Sequence, residues 1–245
     1  MTESSATSHV HDEHVAHHFD DAAQQFETGK LGIWTFLLTE VLFFSGLFVV
    51  YSTLRNNNPE VFAYAAQFLD TKLGFLNTCV LLLSSFTFAL GVRNAMLGQT
   101  KALGINLVIT FLCAAGFMGI KYQEYSHKYH EGLLWSGSEH SVFKANLDDV
   151  HPEIRAHSSV WGDAQKLTPE FRHEIGQFFA IYFCLTGLHG IHVLLGMILI
   201  AWLLMRNARG DFGPNNFNAV DFGALYWHLV DLIWIFLFPL LYLIA

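Results

Sequence analysis

Charge is scarce in this chain: Asp, Glu, Lys and Arg make up 14% of its 245 residues, against 53% apolar ones. A soluble fold would have to hide all of that apolar surface, whereas a membrane protein turns it toward lipid. Only 13 residues are Lys or Arg, and the formal net charge of -8 comes largely from the N-terminal tail and one central loop. Nothing resembles the basic surface of a nucleic-acid-binding protein. Three cysteines occur, Cys79, Cys113 and Cys184. Each lies in an apolar block with no Cys-x-x-Cys spacing, so no disulfide framework is implied and they read as small packing residues. The first 30 residues lack an apolar stretch, which predicts no cleaved secretory signal and leaves insertion to the first hydrophobic block. Also missing are an internal repeat and the inverted pair of broken helices that marks many secondary transporters.

What the chain does have is long apolar blocks. Crossing about 30 Å of hydrocarbon takes roughly 20 helical residues at 1.5 Å each, and five segments reach that length, at about 31–51, 73–92, 103–122, 175–205 and 222–244. The sequence therefore predicts an all-α polytopic membrane bundle at 31–245, preceded by a His-rich acidic tail at 1–30. Short links rich in helix stoppers join most of the spans: Asn56, Asn57, Asn58 and Pro59, then Gly98 to Lys101, then Gly210 to Pro214. The exception is the polar link at 123–174, which contains Trp135 and Trp161 and is predicted to pack over a membrane face or against a partner.

Placing the N-terminus in the cytoplasm puts Lys30, Arg93, Lys101, Arg206 and Arg209 inside, against Arg55 and Lys72 in the short outer loop. Trp34, Trp202 and Trp227 then fall near cytoplasmic helix ends, where indole rings sit among headgroups. The C-terminus is predicted outside. In the tail, His9, His11, His14, His17 and His18 lie among Asp12, Glu13, Asp20 and Asp21. Imidazoles of this kind bind Zn or Cu when held in place, but nothing predicts a fixed geometry, and the tail reads as solvated.

Ionisable side chains at bilayer depth cost at least about 2.5–3.5 kcal/mol, so each needs a partner or a purpose. Glu40, His189, His192, His228 and Asp231 qualify. Glu40 lies roughly 12 Å into the first span, too deep for its short side chain to reach headgroups. It points among Phe36, Phe44 and Leu47, about 120° from a stripe of Gly32, Thr35, Thr39 and Gly46 suited to close helix packing. Two readings stand: a proton-active or inhibitor-reactive carboxyl, and a neutral acid hydrogen-bonded to an intramembrane histidine. Tyr182, His189, His192 and Gly196 share one helix face, and His228 and Asp231, one turn apart, are placed to satisfy each other. Three intramembrane histidines are too few for a multi-metal redox core, though arithmetically enough for one bis-histidine haem.

In order along the chain, these segments resemble one family. The stretch from Leu31 to Phe48, containing Thr39-Glu40-Val41-Leu42-Phe43-Phe44, is followed by Leu76-Asn77-Thr78, Tyr122-Gln123-Glu124-Tyr125, Gly187-Leu188-His189-Gly190-Ile191-His192-Val193, and Tyr226-Trp227-His228-Leu229-Val230-Asp231. The set is similar to subunit III of haem-copper respiratory oxidases in the five-helix bacterial form. That resemblance implies a bundle with a lipid-holding cleft in the bacterial inner membrane, docked on subunits I and II, which hold the haems and copper. It implies no metal bound by this chain, phospholipid as its ligand, and a possible place in a respiratory supercomplex. The implied role is to sustain proton uptake and stability of the catalytic subunit, with no catalytic residue here. Glu40 matches the family's carbodiimide-reactive carboxyl and is expected to bond His192, with Glu124 and His189 as a second polar set. The link before the fourth span is longer than the family leads one to expect. The electron donor is cytochrome c or quinol; Glu40 and Leu76-Asn77-Thr78 favour cytochrome c. A nitric-oxide-reductase accessory subunit and a stand-alone proton or metal transporter are the alternatives.

Overall fold

The computed structural model describes residues 22–214 and 216–244. Five long helices, α1 (Ala22–Asn57), α3 (Thr71–Met96), α4 (Thr100–Glu131), α7 (Pro169–Ala208) and α8 (Asn218–Phe238), are each long and apolar enough to cross a membrane. Short helices α2 (Pro59–Ala66), α5 (Pro152–His157) and α6 (Trp161–Ala164) lie in the connections, and a π-turn at Pro239–Leu243 follows α8. The histidines at positions 9 to 18 lie outside the described residues.

The first four long helices overrun at both ends the apolar segments that mark them in the sequence; α8 starts four residues early and gives way at Pro239 to the π-turn. Helices end where a stopper stands, not where hydropathy falls. The fourth helix in chain order, α4, runs on through polar residues to Glu131 and stops only at Gly132, whose φ of 72° caps it in the left-handed region. At the far side of the link, Thr168 accepts the Phe171 amide and Pro169 occupies the first turn, so α7 begins six residues before the apolar run. The long link thereby shrinks to 132–168. It folds back on its own bundle: the buried Arg172 guanidinium donates to the carbonyls of Lys144, Ala145, Ala164 and Leu167, while Phe143 stacks on Phe179 at 5.7 Å. The first connection is likewise no open breaker, because Pro59 starts α2 and its Val61, Phe62 and Ala65 are buried.

Helices α3, α4, α7 and α8 form the body, and α3 and α4 pack most extensively. Helix α1 stands at its edge against α7 and α8: 11% of its most apolar window is buried, compared with 56% for the last span. Tyr51 donates to the Leu240 carbonyl at 2.6 Å and Arg55 to that of Ile244, which ties the end of α1 to the C-terminal turn. The Gly32–Gly46 stripe is not a seam within the chain. A Cβ at either glycine meets nothing within 4 Å, and the Thr35 and Thr39 hydroxyls turn back to the carbonyls of Leu31 and Phe36. Cys79 and Cys184 are exposed on the surface of the bundle and Cys113 is half-buried, so the first two do not pack in its core as the sequence reading expects.

Candidate functional site

Glu40 projects from α1 toward α7, flanked one turn away on each side by Phe36 and Phe44. Phe36 lies 6.1 Å from the Tyr226 ring of α8, and Phe44 meets the His192 imidazole edge-on at 5.3 Å. These rings set the spacing of the three helices and hold Glu40 Oε2 2.8 Å from His192 Nε2, the partnership expected from sequence. His192 Nδ1 lies 2.7 Å from the Leu188 carbonyl. A carbonyl oxygen has no proton to give, so Nδ1 carries hydrogen and donates, which assigns the tautomer. Either Glu40 is protonated and donates to a neutral Nε2, or an imidazolium donates to the carboxylate. Both arrangements are neutral as a pair, which suits a pair only partly shielded from the bilayer. Their side chains remain 19% and 14% exposed along a groove between α1, α7 and α8.

A second polar centre gathers around Glu124. Its carboxylate accepts from Lys121 at 2.8 Å, Lys128 at 3.1 Å, the Tyr182 hydroxyl at 2.8 Å and the Tyr242 hydroxyl at 2.7 Å. Lys121 also donates to Tyr242 and sits 4.5 Å above the Trp234 ring. The lysines stand three residues before and four after Glu124 and so share its face of α4, a helical spacing that is visible in the sequence itself. Tyr242 carries no local signal, since only the return of α8 brings it there.

His189 does not join Glu124. Tyrosine hydroxyls and ammonium groups fill the carboxylate's acceptor sites, and the imidazole is buried between Phe117 and Trp234, at 5.6 and 5.2 Å, with neither nitrogen hydrogen-bonded among the described residues. His228 and Asp231 do not satisfy each other either. Ser85 of α3 intervenes: its hydroxyl lies 2.6 Å from His228 Nδ1 and also interacts with the Asp231 carboxyl, whose Oδ1 is left without a partner. Of the three expected interface indoles, Trp34 and Trp202 are exposed, but Trp227 is buried. Gly196 explains why: a Cβ there would stand 2.7 Å from the indole, so its absence lets the ring in, and the indole N–H donates to Ser84 at 3.0 Å. The three intramembrane imidazoles face three different neighbourhoods. Among the described residues no group of three or more His, Cys, Asp or Glu side chains has the arrangement of a metal site.

The fold and site thus define a class: a polytopic α-helical membrane protein with a buried carboxylate cluster around Glu124 and a half-buried carboxyl, Glu40, at the wall of a groove. Comparison with known proteins narrows it. The family model described as cytochrome c oxidase subunit III matches residues 167–245. Quinol oxidase subunit 3 of Bacillus subtilis (strain 168) is 29% identical over 238 residues, 95% of this chain and 98% of that protein. Cytochrome c oxidase subunit 3 of the same strain is 31% identical over 217 residues, 88% of this chain and 86% of its own length. A probable quinol oxidase subunit 3 of Staphylococcus saprophyticus is 27% identical over 232 residues, 95% of this chain and 96% of that protein. The chain belongs to the cytochrome c oxidase subunit III family, as a subunit of a terminal respiratory oxidase.

Proposed function

We propose that this chain is a non-catalytic subunit that docks on subunits I and II, the holders of haem and copper, and sustains proton uptake into subunit I and its stability during turnover. The observation that carries the reading is the Glu40–His192 contact of 2.8 Å at the wall of a membrane groove. A carboxyl and an imidazole beside an accessible surface can pass their one shared proton between them with the pair neutral throughout, and the imidazole can hold the charge of a second proton for as long as one is in transit. The groove's apolar walls are suited to phospholipid chains. Exposed Trp34 and Trp202, the latter beneath Arg206 at 5.0 Å, mark the headgroup level at one end and support a cytoplasmic N-terminus and extracytoplasmic C-terminus in a bacterial inner membrane. Relatives bear both quinol oxidase and cytochrome c oxidase names, and on this reading the donor's site lies on another subunit.

Carbodiimide labelling of the purified oxidase tests the assignment. Label should enter Glu40 in the native complex and stop in Glu40→Gln, with faster loss of activity per turnover in the variant. Unchanged labelling would sink the assignment.

A further inference from the structure

A third polar group lies midway across the bundle and serves neither Glu40 nor Glu124. His228 stands ten residues from each end of α8, about 15 Å at the helical rise, which puts it near the middle of the hydrocarbon. Its ring is half-buried. Nδ1 lies 2.6 Å from the Ser85 hydroxyl, whereas Nε2 has no hydrogen-bond partner among the described residues and is not sealed in the core. It reaches the surface at the seam of α3 and α8. One turn to either side, Leu82 and Ala89 flank Ser85, and Leu225 and Leu232 flank His228; Leu82 and Leu232 are each 48% exposed.

The proton count of the Asp231–Ser85–His228 chain decides what Nε2 presents. If Asp231 is the neutral acid, it donates to the serine oxygen, the serine donates to Nδ1, and the ring hydrogen must sit on Nε2. If Asp231 is ionised, a neutral set requires an imidazolium, which carries hydrogen on both nitrogens. The remaining neutral arrangements strand a proton, on Asp231 Oδ1 or on the serine, with no acceptor among the described residues. A net charge at this depth is costlier still. Nε2 is therefore an outward N–H donor.

Hydrocarbon offers it no acceptor, and lipid ester carbonyls lie at the edge of the core, about 15 Å away. A single water would need at least two polar partners, and the flanking residues are leucines and an alanine. A second helix laid along the seam can bring an oxygen to this depth, and the small side chains of Ser85 and Ala89 let it approach closely. The outer face of α4 makes the contrast. Leu112 lies two residues past Thr110, which bonds Thr87 of α3, so it points away from α3; with Ile105 and Val108 it forms an exposed apolar surface that lipid alone satisfies.

We propose that the α3–α8 seam centred on His228 docks a transmembrane helix of another oxidase subunit, and that this helix presents a neutral oxygen acceptor, a hydroxyl or a side-chain amide, to His228 Nε2. The proposal rests on the reading of this chain as a docked subunit and names the face that docks.

The test places a photoreactive diazirine amino acid at Leu82, Leu232 or Leu112 of the assembled oxidase in its membrane and maps the crosslinks by mass spectrometry. Leu82 and Leu232 should reach one transmembrane segment of another subunit, beside a Ser, Thr, Asn or Gln, and Leu112 should give lipid adducts. In the purified complex, His228→Leu should speed release of this subunit on dilution about threefold, the factor an interhelical hydrogen bond of about 0.6 kcal/mol supplies. His228→Gln, whose amide nitrogen takes the place of Nε2, should release at nearly the native rate, and His228→Asn, whose nitrogen takes the place of Nδ1, should behave like His228→Leu. A role confined to the Ser85 contact gives the opposite order of Gln and Asn, and that order, or equal rates for all three, would overturn the proposal. Lipid adducts alone from Leu82 and Leu232, or crosslinks from them to a second copy of this chain, would do the same. Crosslinks from Leu112 to other subunits with none from the seam leave the docking reading intact and sink this face, whereas a chain that purifies apart from the haem-bearing subunits sinks both.

Discussion

Replacing Glu124 with Gln leaves the shape of the second polar centre intact and removes only its negative charge. The native centre holds two ammonium groups and one carboxylate, a formal sum of +1, with side-chain exposures of 7%, 2% and 3% for Lys121, Lys128 and Glu124. Glu124→Gln removes the one carboxylate that both buried ammonium groups pair with, so either their charges stay uncompensated or a proton must be given up. Removing one partner of a buried ion pair costs about 3–5 kcal/mol, because the remaining charge stays buried. Removing a lysine acts oppositely and brings the sum to zero. Lys128 contributes one bond of 3.1 Å, so Lys128→Met should cost about 1 kcal/mol or less. Lys121→Met should fall between, since Lys121 bonds both Glu124 and Tyr242 at 2.8 Å and covers the Trp234 ring.

The assay is stepwise heating of the purified oxidase in mild detergent, with this subunit's retention in the complex measured after each step. For a chain of this size about 1 kcal/mol moves the midpoint by roughly 2–4 °C, so Glu124→Gln should lower it by about 6–20 °C. The charge argument fails if Glu124→Gln stays within about 2 °C of the native complex, or if Lys128→Met costs as much as Glu124→Gln.

The same heating assay checks further substitutions. Gly196→Ala forces a Cβ to 2.7 Å from the Trp227 ring and should cost about 1–3 kcal/mol, while Gly190→Ala, with nothing within 4 Å, should be close to neutral or slightly stabilising. His189→Phe should be neutral or stabilising, since it removes two unpartnered nitrogens from a site already walled by Phe117 and Trp234. Trp227→Phe gives up the indole bond to Ser84 and part of the ring, and should cost about 1–3 kcal/mol.

The sequence carried the architecture because lipid demands a simple signal, an apolar run of sufficient length. It was less clear about where helices stop: Lys121 to Glu131 are polar yet helical, and hydropathy cannot see a helix that continues past the membrane to reach Gly132. Individual polar groups were legible by cost, since Glu40, His189, His192 and Asp231 stand out in apolar blocks. Their partners were legible only in part. His192 was the expected partner of Glu40, but Lys121, Lys128 and Tyr242 around Glu124 depend on which face of α4 meets α7 and α8. Spacing along one helix paired His228 with Asp231, whereas the fold inserts Ser85 from another. Trp227 misled for a related reason: an indole near a span end reads as an interface anchor, and only the glycine opposite, on another helix, shows that it goes inward.

The two carboxyl centres differ in what they leave unfilled, and that difference separates scaffold from site. Glu124 accepts four hydrogen bonds from donors within the chain, two of them cationic, and its side chain is 3% exposed. A carbodiimide needs both access and a proton on the carboxyl; Glu124 offers neither, since two ammonium groups stabilise its charged form. Glu40 has one imidazole partner, a spare oxygen and a groove open to lipid. On the proposed reading the acid with fewer contacts is the one expected to react. Labelling the native complex with a membrane-permeant carbodiimide should modify Glu40 and spare Glu124, and label on Glu124 would show that its lysines do not hold it ionised.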